Sequence, residues 1–90
     1  MMTRKELHDE LWLLTKGMLQ DSRIETTEAT VVKRWLEEHQ LVDEFKFTVE
    51  KLDRFLADGY IDRFESKDVC DMIGNVLTTL RREALSEASA

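Results

Sequence analysis

The sequence predicts an all-helical protein of four helices, and three observations support this. Apolar residues recur every three or four positions in four segments, which is the period of a helix with one buried face. The chain has no proline and only three glycines, too few for the many turns of a β-rich fold. Its 36% charged and 42% hydrophobic residues suit helices with one apolar stripe and a solvated back. Ninety residues suffice for one core, so we expect a single helical domain over 1–90.

The first predicted helix follows a capping-box signature, Thr3 with Glu6 three positions later, and ends near residues 21–22. The second is expected from Thr26 to His39, with His39 in a structural role near its C-terminus. Trp12 and Trp35 lie at the edges of the two apolar stripes, and we expect both to be mostly buried. The stripes consist of Leu7, Leu11, Leu14 and Met18 in the first helix, and of Ala29, Val32 and Leu36 in the second.

The second half of the chain predicts a connector and two further helices. Residues 41–47 form the expected connector, and a short third helix runs from Thr48 to Asp58-Gly59, where glycine permits a positive φ. The fourth helix starts at Asp62, with Glu65 three positions later as its capping partner. We expect the small, polar tail 86–90 to fray. The apolar face of the fourth helix consists of Val69, Ile73, Val76, Leu77 and Leu80.

An internal repeat relates the two halves at an offset of 37 residues, since Leu19 aligns with Leu56. Each copy contains a helix, a sharp turn with an isoleucine and a helix with an acid in its first turn. The repeats predict two helix–turn–helix units, about 3–39 and 48–85, packed as a closed pair of hairpins. At most a small backbone bridge is expected between the turn isoleucines. The further aligned pairs are Asp21 with Asp58, Ile24 with Ile61, and Glu28 with Glu65.

The second turn matches the later half of an EF-hand calcium loop. With Gly59 at the sixth loop position, however, the first and third ligand positions hold Arg54 and Leu56. Calcium needs about six to eight oxygens, so we predict EF-hand-like turns without calcium ligands. A divalent-metal sensor stays open as an alternative, and capping of helix N-termini is the simpler role for its acids. The candidate metal ligands are Asp21, Glu28, Asp58 and Glu65.

The turn motifs QDSRIETTE and ADGYIDRFE, with VVKRWLEEH and LDRFL between them, resemble a known helical module. This module is found beside BRCT domains in some bacterial and phage proteins, and the motifs are also similar to the tellurite-resistance-B-like class. The resemblance covers residues 7–80, with Ser22 standing where glycine is usual. It implies a helical fold, a context of DNA repair or replication, and metal binding through acidic residues in some members.

No catalytic motif stands out in the sequence. It has no Gly-rich phosphate loop, no H-E-x-x-H and no C-x-x-C. His8 and His39 fall in different helices, and Cys70 is expected to be a buried, inert thiol beside an apolar stripe. The paired acids Asp9-Glu10 and Glu37-Glu38 are expected on solvated helix backs. We therefore predict that the protein is not an enzyme and has no cofactor.

The charge balance and cysteine content predict the environment of the protein. Nineteen acidic and thirteen basic residues give a net charge of −6, which disfavours direct binding to nucleic acid. A single cysteine fits a reducing cytoplasm. The N-terminus lacks the apolar region of a signal peptide, and no apolar run reaches the roughly 18 residues that span a membrane. We expect a cytoplasmic protein without a membrane contact.

Two apolar residues break the helical pattern and point away from the predicted core, Leu13 and Phe64, and Tyr60 lies four residues before Phe64 at the tip of the second turn. Exposed aromatic residues are enriched at binding hot spots, so these residues predict a contact surface for an unknown protein partner. A homodimer is open as well. The first interpretation is a non-enzymatic interaction module or small regulator linked to nucleic-acid or stress-response machinery. An acidic phage-type antagonist that mimics the charge of DNA is the second interpretation, and the metal sensor is the third.

Overall fold

The structure, a computed structural model, describes residues 2–89 and contains four helices in that range. They are α1 (Arg4–Asp21), α2 (Thr26–Glu38), α3 (Lys46–Ala57) and α4 (Arg63–Ser89). No strand occurs among the described residues, so the predicted all-helical class is confirmed. α4 has 27 residues and is therefore about 40 Å long at about 1.5 Å per residue, close to the 43 Å long axis of the molecule.

The first helix begins as its sequence predicts. The Glu6 backbone N–H donates to the Thr3 hydroxyl, and the Thr3 N–H donates to the Glu6 carboxylate, both at 3.1 Å. The two bonds satisfy N–H groups that have no partner inside the helix. The backbone N–H of Thr3 favours the charged carboxylate, which holds the pKa of Glu6 below its ordinary value.

The connector between α2 and α3 is anchored at its first apolar residue. Gln40 adopts a left-handed conformation with φ 56°, which ends α2. The Leu41 N–H then donates to the Leu36 carbonyl at 2.8 Å, as in a Schellman motif, and the Leu41 side chain is buried. A further turn bonds the Phe45 N–H to the Leu41 carbonyl at 2.9 Å. Because this hydrogen bond already forms a turn with helical spacing, α3 starts at Lys46, two residues before the predicted start.

One core joins the four apolar stripes. α1 packs on α4, α2 packs on α3, and α3 packs on α4. An ion pair between Lys33 and Asp53 links α2 to α3 at the surface and raises the pKa of Lys33. Trp35, only 6% exposed, is buried as predicted. The largest fully buried side chains include Leu11, Ile24, Leu36, Leu52, Ile73 and Leu80.

The expectation that Trp12 is mostly buried is wrong. Its side chain is 46% exposed. Successive residues are about 100° apart around a helix, so Trp12 lies at the margin of the stripe that contains the fully buried Leu11. The neighbouring helices cover the centre of that stripe and leave its margin in contact with solvent. Trp12 is therefore part of the surface.

The C-terminal end of α4 docks against the start of α1. The Arg4 guanidinium contacts Glu44 in the connector and Glu83 in α4, each at 2.9 Å. The Arg4 backbone N–H also donates to the Glu87 carboxylate at 3.3 Å. These contacts lie along a helix that continues to Ser89, and the expected fraying of the tail stays a prediction. Ala90 lies outside the described residues.

Acidification is predicted to strengthen this end of the molecule. Burial, followed by the hydrogen bond to Glu44, raises the pKa of Glu83 above its ordinary value. The folded state therefore holds this proton more tightly than the unfolded chain, and stability falls as pH rises through the raised pKa. We expect Glu83→Gln to be more stable than the wild type at neutral pH, because glutamine carries no charge there. This advantage in the free energy of unfolding should be smaller at about pH 4. Urea unfolding at both pH values measures the difference, and a gain that does not change with pH contradicts the prediction.

Two glycines with open space around them are predicted to respond in opposite ways to alanine. Gly59 has φ +71°, and a Cβ added there, or at Gly74 in α4, would have no neighbouring atom within 4 Å. Gly59→Ala should lower the free energy of unfolding by about 1–2 kcal/mol, because a Cβ disfavours the left-handed conformation. Gly74→Ala should raise it by about 0.5–1 kcal/mol, because alanine is the better helix former. Chemical denaturation measures both changes, and the same sign for both would show the backbone argument wrong.

Candidate functional site

The two turns that join the helices within each half of the chain lie side by side at one end of the molecule. Residues 21–26 connect α1 to α2, and residues 59–63 reach the start of α4. Together with Ser66 they enclose an open cleft of about 880 Å³, which we call the turn cleft. Two segments that are far apart in the sequence thus share one concave surface.

Both turns change direction through a left-handed residue. Ser22 has φ 53° and Gly59 has φ 71°, at positions 37 residues apart. After Ser22, the Arg23 N–H donates to the Met18 carbonyl at 3.2 Å, while the Gly59 N–H donates to the Leu56 carbonyl at 3.0 Å. The first turn thus reaches a similar backbone direction without glycine.

The glutamates of the two turns cap the helices that follow. The Asp62 N–H donates to the Glu65 carboxylate at 3.1 Å, and the Glu65 N–H donates to the Asp62 carboxylate at 2.8 Å. In the first turn the Glu25 N–H donates to the Glu28 carboxylate at 3.0 Å. The predicted capping role is confirmed for Glu28 and Glu65.

The capping role is wrong for the two aspartates of the proposed metal set. Asp21 is the last residue of α1, and Asp58 follows the last residue of α3, so both lie at C-terminal helix ends. Their side chains are exposed. In the described part of the chain, no three His, Cys, Asp or Glu side chains are placed to hold a metal ion.

A serine in the first turns of α4 joins this helix to the turn between α1 and α2. The Ser66 hydroxyl donates to the Ile24 carbonyl at 3.2 Å and accepts from the Ile24 N–H at 3.4 Å. No strand or bridge occurs among the described residues, which agrees with the prediction of at most a small bridge between Ile24 and Ile61, and the Ser66 hydroxyl bonds to both backbone groups of Ile24. The only sequence signal for Ser66 was a hydroxyl residue on the apolar stripe that continues to Val69 and Ile73.

The three predicted contact residues are all exposed, but they are not in one place. Tyr60 is 68% exposed and lines the turn cleft. Phe64 is 79% exposed and lies four residues later, in the first turn of α4. Leu13 is 66% exposed in the middle of α1 and does not line the cleft. Among the described side chains, Tyr60 and Phe64 do not form a ring contact.

Two arginines of the cleft were not among the site residues that the sequence predicted. Arg23 in the first turn and Arg63 at the start of α4 both line it, and both are exposed. Neither side chain forms an ion pair or a hydrogen bond with any residue that the structure describes. The offset of 37 residues that aligns the two repeats does not align Arg23 with Arg63, so no motif indicated that these arginines lie on one cleft.

A second polar cluster lies between α1 and α2 and has a structural role. The Glu10 carboxylate accepts from Trp35 Nε1 at 2.7 Å and lies 3.0 Å from His39 Nε2. The His39 and Trp35 rings pack with their centroids 4.6 Å apart. His39 thus has the expected structural contacts. Glu10, expected on a solvated back, instead links two helices.

The single cysteine is buried, as predicted. The Cys70 sulfur lies 3.8 Å from the Met18 carbonyl oxygen. Burial raises the pKa of the Cys70 thiol, which disfavours the reactive thiolate.

Comparisons with protein-family models, curated proteins and solved structures give no match to this chain. Among the described residues, no helix combines the length and apolar character that crossing a membrane requires.

Removal of the Ser66 hydroxyl is predicted to destabilise the protein. Ser66→Ala leaves the buried N–H and carbonyl of Ile24 without their partner. We expect the free energy of unfolding to fall by about 1–3 kcal/mol. Thr78→Ala is a matched control, since its exposed hydroxyl bonds only to the Gly74 carbonyl within α4. Equal losses for the two variants in urea unfolding would contradict the role assigned to Ser66.

Proposed function

We propose that the protein is a non-enzymatic interaction module, a small regulator that binds a protein partner at the turn cleft. The observation that supports this most directly is the exposure of Tyr60, on the cleft, and of Phe64, close to it in the chain. Aromatic side chains contribute large apolar areas to interfaces at low entropic cost and are enriched at hot spots. The position of Tyr60 on a concave surface distinguishes it from apolar residues scattered singly over the molecule.

The contacts of the cleft support a preformed binding surface. Both turns are held by backbone hydrogen bonds at their left-handed residues, and Ser66 ties the first turn to α4. A partner that binds here does not have to order these turns first. Preorganisation of this kind lowers the entropic cost of association.

The two alternatives from the sequence receive less support. A metal sensor needs the carboxylates of Glu28 and Glu65, but both already accept backbone N–H groups. An acidic mimic of DNA needs free carboxylates on one continuous face. Several acids instead have partners inside the protein, among them Glu10, Glu44, Asp53 and Glu83.

The two-repeat, EF-hand-like organisation is part of the same proposal. It is supported by left-handed residues 37 positions apart and by capping glutamates with the same offset. The helical module beside BRCT domains, which the turns resemble, suggests a place beside nucleic-acid machinery. We propose the cytoplasm as the location, in keeping with the single buried cysteine.

The double variant Tyr60→Ser, Phe64→Glu is predicted to lose partner binding and keep the fold. Both side chains are largely exposed, so helical circular dichroism and the unfolding midpoint should change little. Crosslinking and pull-down from source-cell extract, together with size-exclusion chromatography, measure binding to a partner or to a second copy. The control is Phe47→Glu, an exposed aromatic on α3 that packs only against Lys51 among the described aromatic contacts.

Loss of the same captured protein, or of self-association, in the Tyr60/Phe64 variant alone supports the proposed surface. Equal loss in the control variant shows that a general apolar or charge effect explains the binding. Unfolding of the double variant places the two rings in the core and contradicts the proposal.

A further inference from the structure

The last turns of α4 extend past the part of this helix that the core covers. Leu80 is fully buried, but none of the residues 81–87 is buried, although α4 continues to Ser89. We call residues 84–87 the C-terminal segment. Because the core ends before this segment, contacts outside the core have to dock it on the rest of the molecule.

Arg4 supplies those contacts. Its guanidinium forms ion pairs with Glu44 and Glu83, each at 2.9 Å, and its backbone N–H donates to the Glu87 carboxylate at 3.3 Å. We call these four residues the Arg4 cluster. They come from the start of α1, the connector and the end of α4, so the cluster joins three segments that are far apart in the sequence.

The Arg4 cluster contains more negative charge than its one cation can offset. Three carboxylates surround Arg4, and no other cation that the structure describes contacts them. The Glu44 and Glu83 side chains are each 33% exposed, so water screens their repulsion less than it would on an open surface. Both carboxylates bind one guanidinium and therefore lie close together. Two carboxylates that share a site favour the uptake of one proton between them.

The pKa of Glu83 agrees with this arrangement. Burial is the largest cause that raises this pKa, the hydrogen bond to Glu44 is the second, and the charges of Glu44 and Glu87 act in the same direction. The charge of Arg4 lowers the pKa, but the net direction is upward. The docked segment therefore binds a proton at a pH where the released segment, surrounded by water, has already lost it.

The position of these acids in α4 gives a second reason for the same dependence. The last turn of α4 has no basic residue, while Glu83 and Glu87 lie near its C-terminal end. This end of a helix carries a partial negative charge, so a carboxylate there is unfavourable and a neutral carboxyl group is not. Proton uptake thus favours both the docked position and the helical conformation of the same segment.

We propose that the Arg4 cluster is a pH-sensitive switch, in which a proton shared by Glu44 and Glu83 docks the C-terminal segment and loss of this proton releases it. The segment is docked at low pH and is released as the pH rises. The pH window begins at the ordinary pKa of a glutamate and extends upward to the raised value. This adds a conformational change at one end of α4 to the stability effect expected for Glu83.

The test is nuclear magnetic resonance of the full, ¹³C- and ¹⁵N-labelled chain between about pH 4 and pH 8, with circular dichroism to verify that the other helices stay folded. The Cα shifts of residues 84–87 measure the docked helix, and the side-chain Cδ shifts of Glu44 and Glu83 measure the proton. We expect all of them to change in one transition. The ratio of docked to released segments should fall about twofold to fivefold as pH rises, the effect of one carboxylate charge near a helix C-terminus.

Two variants remove one charge each from the pair. Glu83→Gln and Glu44→Gln keep an oxygen that can accept from Arg4, so the C-terminal segment should stay docked over the whole pH range in both. The matched control is Glu50→Gln on α3, which removes a carboxylate whose described ion pair is with Lys46, outside the cluster. It should retain the transition of the wild type.

Each other outcome contradicts a part of the proposal. Cα shifts of residues 84–87 that do not change with pH in the wild type would overturn the switch. Loss of the transition in Glu83→Gln but not in Glu44→Gln would show that the two carboxylates do not share a proton. Equal loss in Glu50→Gln would show that the net charge of the chain, and not the Arg4 cluster, controls the segment.

Discussion

Two hydrogen bonds between the Ser66 hydroxyl and the backbone of Ile24 join the first turn to α4, and the arrangement of the turn cleft depends on them. Ile24 is buried, so its N–H and carbonyl need partners inside the protein. A backbone bridge to Ile61 would serve the same purpose in a symmetric pair of turns. The Ser66 side chain provides these partners from α4, and Tyr60 in the second turn stays largely exposed.

The opposite end of α4 is held by charges. The Arg4 guanidinium forms ion pairs with Glu44 and Glu83, and the Arg4 backbone N–H donates to the Glu87 carboxylate. A long helix in a small domain needs such contacts, because one core covers only part of its length. α4 is therefore held by hydrogen bonds near the turns and by ion pairs at its far end, and these two ends should respond differently to pH and salt.

The proposed partner surface follows from what the core leaves uncovered. Apolar stripes of all four helices meet inside, Tyr60 stays exposed on the turn cleft, and Phe64 stays exposed in the first turn of α4. Among the described residues, the lining of that cleft has mixed charge, with two arginines and the carboxylates of Asp21, Glu25 and Asp62.

The sequence by itself determined the four helices, the capping residues Thr3, Glu28 and Glu65 and the exposure of Phe64, because helix period, caps and turns act within a few residues. Only the tertiary structure decided the exposure of Trp12, the link through Glu10, the bonds of Ser66 to Ile24 and the position of Arg23 and Arg63 on one cleft. These features depend on how far each helix is rotated toward its neighbours and on contacts as distant as 42 residues, for which a single sequence carries no local signal.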